Sequence, residues 1–326
     1  MAIDIRAIEL RQTMKILVMF MIVQFLGLLL ATQVFNGVSV VEISQSEVSS
    51  SAGSILPVIV GILGFTALLL IVMKFYKGRR FFQLLEAFAI FGPSYVVFIT
   101  LVGLATNQIQ QVTFGNVVTY QYYIAAALSA LLVLAKNKWP RLRNTASIIA
   151  SAGIGLAIGI YLSFFAVLVF MALLAVYDFV AVFITKHMVT MGRAMSEMNL
   201  SFLVGASEME AIPSSSVPKS QQELAKKGMH SLEHRFSQIR ALERQGLVPI
   251  YSRRELGNGD LAVPLMASVS AYKVYQSFTL SMVVSAGAIF GLLLTFYILN
   301  KLKRPLPAIP PLLFGILVAL GLYFLL

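Results

Sequence analysis

Of the chain's 14 acidic residues, eleven lie in polar connections or in the N-terminal tail. The other three, Glu86, Asp178 and Asp260, stand inside long apolar runs. An ionised carboxylate in hydrocarbon costs on the order of a few kcal/mol, so each needs a reason to be there. Glu86 lies near the start of its run, about 7.5 Å of helix rise from the end. A helix-packing contact or snorkelling accounts for it. Asp178 and Asp260 differ, because their positions correspond. One stands near the end of the sixth run and the other near the start of the seventh, and one polar loop joins those runs. Antiparallel helices would hold them ~10 Å and ~6 Å below the same membrane face. Two carboxylates that close in a low-dielectric site cannot both ionise easily, so the pair holds one proton. One can then take a proton from water while the other, protonated, polarises a peptide carbonyl. Geometry alone leaves two other readings open: separate packing residues, or an ion site.

The residues around Asp260 bear on this. Gly257 and Gly259 carry no side chain, so another backbone can approach closely. The same glycines could equally serve helix packing. Pro264 would remove the helical bond to the Asp260 carbonyl, which predicts an irregular helix near the acid. Such backbone is tolerated only inside protein or beside water.

The elements that must position these residues are membrane helices. The chain is 58% hydrophobic and only 12% charged, against roughly 25% in soluble domains. Its apolar runs are continuous rather than alternating, which argues against a β-barrel. Runs at 16–35, 55–73, 81–105, 117–135, 145–161, 163–185, 256–272, 275–299 and 305–326 predict an all-α polytopic protein with nine transmembrane helices. The fifth and sixth require a tight turn near 161–163, since one helix over 143–186 would overshoot a ~30 Å core about twofold. Of the 25 Lys and Arg, all but Lys273 fall in the N-terminal tail or in every second connection. That predicts a cytoplasmic N-terminus and an outside C-terminus. The net charge of +11 is a topology signal spread between the runs, not a nucleic-acid-binding patch. The absence of cysteine removes disulfide and thiol chemistry.

Three parts follow: residues 1–185 with six spans, a largely flexible cytoplasmic loop at 186–255, and 256–326 with three spans. Within the loop, AIPSSSVPKSQQ (211–222) reads as linker, and Leu232, Phe236, Ile239 and Leu242 form a weak helical stripe. HSLEH (230–234) matches an inverted zinc pattern but has no third ligand, so no metal is expected. GLAIG (155–159) and GAIFG (287–291) read as helix-packing sites. KRPLPAIPPL (303–312) opens the last run, and its four prolines predict an extended entry over 305–311. Its few N–H groups, on Leu306, Ala308 and Ile309, would be available to an unwound substrate strand.

Together these motifs resemble the presenilin and signal peptide peptidase family. Tyr177-Asp178 is similar to its YD motif, Gly257-Asn258-Gly259-Asp260 to its GxGD motif, and Pro307-Ala308-Ile309 to its PAL motif. GxGD alone is weak, because prepilin peptidases share it; the three motifs in order on the expected spans are specific. The orientation resembles the presenilin side, and the short chain resembles an archaeal homolog. Ile309 replaces leucine in PAL, and Asn258 and Pro264 depart from animal presenilins. The resemblance implies an intramembrane aspartic protease with Asp178 and Asp260 catalytic. Tyr177, Gly257, Gly259, Pro307, Ala308 and Ile309 would support substrate binding. It further implies a multi-pass protein (in the cell membrane of a prokaryote) that acts in the lipid bilayer on single-span membrane proteins. No cofactor is expected and no nucleic acid, and a homo-oligomer is left open. The alternative reading is a proton- or cation-coupled transporter using the same acids, although no repeated halves are visible.

Overall fold

The computed structural model describes residues 5–37, 79–105, 119–139, 141–184, 203–213, 247–302 and 306–325. The expected span at 55–73, the stripe at 232–242 and HSLEH lie outside the described residues. Eight helices are described: α1 (Ile5–Gly37), α2 (Arg79–Ala105), α3 (Thr119–Lys138), α4 (Leu142–Tyr161), α5 (Phe164–Phe179), α6 (Asn258–Tyr275), α7 (Phe278–Leu302) and α8 (Ile309–Leu325). A π-helical turn, Val180–Ile184, continues α5. Among the described residues, five helices are long and apolar enough to cross a membrane, and α8 is a shorter apolar one.

Residues 1–16 and 205–255 form one compact unit; residues 17–204 and 256–326 form the other. The all-α expectation needs one correction. Strands β1 (Leu203–Pro213) and β2 (Leu247–Gly257) pair as a two-stranded sheet within what reads as a flexible loop. In the first unit, Arg254 of β2 donates to Thr13 Oγ1 of α1 at 2.9 Å.

In the second unit α6 is the central element. Every residue but Val263 between Leu261 and Tyr272 is buried. Helices, not lipid, surround α6, so it tolerates Ser268, Ser270 and a modest hydropathy. Ser268 and Ser285 of α7 share a hydrogen bond of 2.8 Å. The α4 glycines make the closest approach. A Cβ on Gly155 would lie 2.9 Å from the Ala262 carbonyl, and one on Gly159 2.9 Å from that of Met266. Every fourth residue of α4 thus meets every fourth residue of α6, in parallel. Helix α1 also runs parallel to α6, with Gly27 against Leu265 and Phe35 against Tyr272. Helix α5 runs antiparallel, its first residue Phe164 meeting Tyr275 at 5.8 Å between ring centroids.

The connections follow local chemistry. Leu162 is extended and Ser163 caps α5 by accepting from the Ala166 N–H, so the turn expected at 161–163 is present. Gln276, at φ 47°, ends α6, and Ser277 Oγ accepts from Leu280 to start α7. Both glycine motifs pack helices, as expected: Gly287 and Gly291 of α7 lie against Gly315, Pro311 and Leu312 of α8. On the other flank Glu86 of α2 and Lys136 of α3 form a buried ion pair of 2.7 Å, so Glu86 is a helix-packing contact. Ile90, Val133, Ala146 and Ala150 close the cluster of α2, α3 and α4.

Candidate active site

Asp260 is the third residue of α6, and Gly257 is the N-cap. From that position a carboxylate reaches back to the cap N–H, and Asp260 accepts from Gly257. A Cβ on Gly257 would lie 3.2 Å from Asp260 Oδ2, so a side chain there would press the carboxylate to move by a few tenths of an ångström. Gly259 is exposed, and nothing lies within 4 Å of where its Cβ would stand. The face beside Asp260 is therefore open, and Asp260 itself is only partly buried.

Asp178 has the opposite local setting. It lies within α5 just before the π-helical turn, where the backbone N–H groups of its own helix are already bonded and none is free to serve a carboxylate. Its support comes from α8. The Ile309 N–H donates to Asp178 Oδ2 at 3.3 Å, and the Ala308 N–H also faces the carboxylate. These are N–H groups of a helix N-terminus, which have no intrahelical partner and suit an anion. Asp178 is 3% exposed, and its Oδ1 is buried without a hydrogen-bond partner among the described residues. Asp178 lies close enough to Asp260 for its charge to act on the Asp260 carboxyl.

The geometry thus brings Asp178, Asp260, Gly257, Ala308 and Ile309 together. Tyr177 is half-buried next to Asp178, and Pro307 is buried before Ala308. Two expectations are corrected. The extended entry to the last helix is shorter than 305–311: α8 begins at Ile309 and takes Pro310 and Pro311 into its first turn. Proline costs no hydrogen bond there, because those N–H groups are unpaired anyway. The Ala308 and Ile309 N–H groups serve Asp178 and are not free for a substrate strand. The second correction concerns Pro264. Helix α6 continues through it without a break, although the Asp260 carbonyl loses its helical partner.

Two polar contacts escape a reading based on charged residues. Gln24 Nε2 of α1 donates to the Leu261 carbonyl at 3.2 Å, and Ser151 Oγ of α4 donates to the Asn258 carbonyl at 3.3 Å. Gln24 interrupts an apolar run, the one signal that could have marked it.

The family model for signal-peptide peptidase, presenilin aspartyl protease matches residues 17–325. The chain belongs to this family. Two solved structures of a presenilin family intramembrane aspartate protease, in C222 and P2 crystal forms, share its fold, each with a TM-score of 0.54. The first is 21% identical over 94% of both chains; the second is 24% identical over 94% of this chain and 96% of the other. Comparison with curated proteins finds no match. Members of this family are multi-pass integral membrane proteases, so the transporter reading loses its support.

Proposed function

We infer that the chain is an intramembrane aspartic protease in which Asp178 and Asp260 form the catalytic pair. The observation that carries this is their approach from the facing ends of antiparallel α5 and α6, within a family of aspartyl proteases. In the proposed reaction the ionised member takes a proton from water. The protonated member hydrogen-bonds the scissile carbonyl. The resulting hydroxide adds to the carbonyl carbon while the protonated member passes its proton to the carbonyl oxygen, giving a gem-diol. The carboxyl that took the proton from water then gives it to the nitrogen, the other carboxylate takes a gem-diol proton, and the C–N bond breaks to acid and amine with no covalent enzyme intermediate. Water would reach the pair from the side of Asp260, which is only partly buried. Gly259 leaves room for the substrate backbone.

The substrates are membrane-spanning segments, and a helical one must unwind before its carbonyls are open to attack. The nine-span count is supported by helix directions. Helix α2 runs antiparallel to α3, since Glu86 near the start of one pairs with Lys136 near the end of the other. Helix α3 turns directly into α4, so α2, α4, α6 and α1 run one way. Parallel α1 and α2 need one further crossing between them, for which the apolar run 55–73 has the length. The basic connections then put the N-terminus and the 186–255 loop in the cytoplasm and the C-terminus outside.

The test is direct. The purified chain, in detergent or vesicles, should cut a single-span substrate within its apolar segment, with product masses locating the cut. Asp178→Ala should abolish it. An intact substrate, or cleavage undiminished in Asp178→Ala, would reject the proposal.

A further inference from the structure

Asp260 stands on the weakest turn of α6. Pro264 has no N–H, so the Asp260 carbonyl has no helical bond, and one rung is missing where the site needs rigidity. The carbonyls on either side, of Asn258 and Leu261, each receive a side-chain donor from another helix. The glycines Gly27 and Gly155 bring α1 and α4 against Leu265 one turn further on, which lets short side chains reach the backbone.

These contacts are not the ordinary fate of polar residues in membrane helices. Ser129, Ser268 and Thr295 each donate to the carbonyl four residues back in their own helix. Ser151, fully buried, instead reaches across to α6. Gln24 is 3% exposed, and its Oε1 is buried with no partner among the described residues. Among the described residues, the bond that the Gln24 side chain makes is the one from Nε2 to the α6 backbone.

We propose that Gln24 and Ser151 are positioning residues that fix the Asp260-bearing turn of α6 through the Leu261 and Asn258 carbonyls. They act through the backbone, clamping the turn from two sides so that the carboxylate keeps its place relative to Asp178. The proposal rests on the reading of Asp260 as catalytic.

The experiment measures kcat and KM on a single-span substrate for Gln24→Met, Ser151→Ala, Ser151→Thr and the Gln24→Met/Ser151→Ala double variant, with thermal unfolding followed in parallel. Loss of one donor should lower kcat about five- to tenfold with KM unchanged. Ser151→Thr, which keeps the hydroxyl, should stay within about twofold of the parent. The double variant should lose less than the product of the two single losses, because both bonds hold one turn. Wild-type kcat in both single variants would overturn the proposal, as would a raised KM with kcat kept, or Ser151→Thr as damaging as Ser151→Ala. Should Gln24→Met fail to fold, the Ser151 pair decides the matter, since Ser151→Ala removes a single heavy atom. If the catalytic reading of Asp260 is itself wrong, Asp260→Asn will cleave normally. If only the positioning role is wrong, Asp260→Asn will be dead while Gln24→Met and Ser151→Ala cleave like the parent.

Discussion

The backbone N–H of Ile309 points at Asp178 Oδ2, 3.3 Å away, across 131 residues of sequence. The first turn of α8 is thereby tied to the last turn of α5. The Pro307-Ala308-Ile309 segment carries this tie, because buried Pro307 and Ala308 set the entry of the chain into α8. We predict that Ala308→Trp, which cannot fit an 8% exposed site, lowers cleavage at least tenfold. Pro307→Ala should lower it less, by loosening the entry. Turnover by Ala308→Trp equal to the parent's would mean that Asp178 does not depend on this segment.

The Glu86–Lys136 pair predicts a different outcome. Removing one partner leaves an uncompensated buried charge, which costs about 3–5 kcal/mol. Glu86→Ala should therefore unfold at markedly lower temperature, while Glu86→Leu/Lys136→Leu recovers much of the loss. Cleavage per folded molecule should be unchanged in both. A fall in kcat in the stable double variant would place the pair in the catalytic machinery.

Peptide hydrolysis needs water at the site. The cysteine-free sequence makes a single introduced thiol easy to follow. Cysteine at exposed Gly259 should react with a membrane-impermeant thiol reagent supplied from the cytoplasmic side. Cysteine at Leu261, two residues on and fully buried, should be protected. Protection at both positions would contradict a wet site beside Asp260.

What could be read from the sequence follows the cost of each feature. A carboxylate in an apolar run is so unfavourable that Asp178 and Asp260 stood out, and apolar lengths with basic connections marked the helices. The break before Ser163 followed from length alone. The two-stranded sheet was not legible, because β1 and β2 are separated by more than 30 residues and each is stable only in the other's presence. Gln24 and Ser151 gave little signal, since an uncharged polar side chain in a membrane helix is inexpensive. The prolines at 310 and 311 misled, because a first helical turn accepts them without loss.

A pair sharing one proton has a characteristic pH response. With both carboxyls protonated no base is available; with both ionised no acid polarises the carbonyl. The rate should therefore fall on both sides of an optimum, giving a bell with two apparent pKa values that belong to the pair. The kcat–pH profile on a substrate without titratable groups near the cut checks this. A profile with a single limb between acid and alkaline unfolding would argue against a shared proton.

The most direct measurement is single-turnover cleavage by Asp260→Asn. Asparagine keeps the shape and can still accept from Gly257, but it cannot exchange a proton with water. The chain should fold with the parent's helix content and unfolding temperature, bind substrate, and release no product above the uncatalysed background. Product formation at the parent's rate would contradict the pairing of Asp178 with Asp260 as the source of hydrolysis.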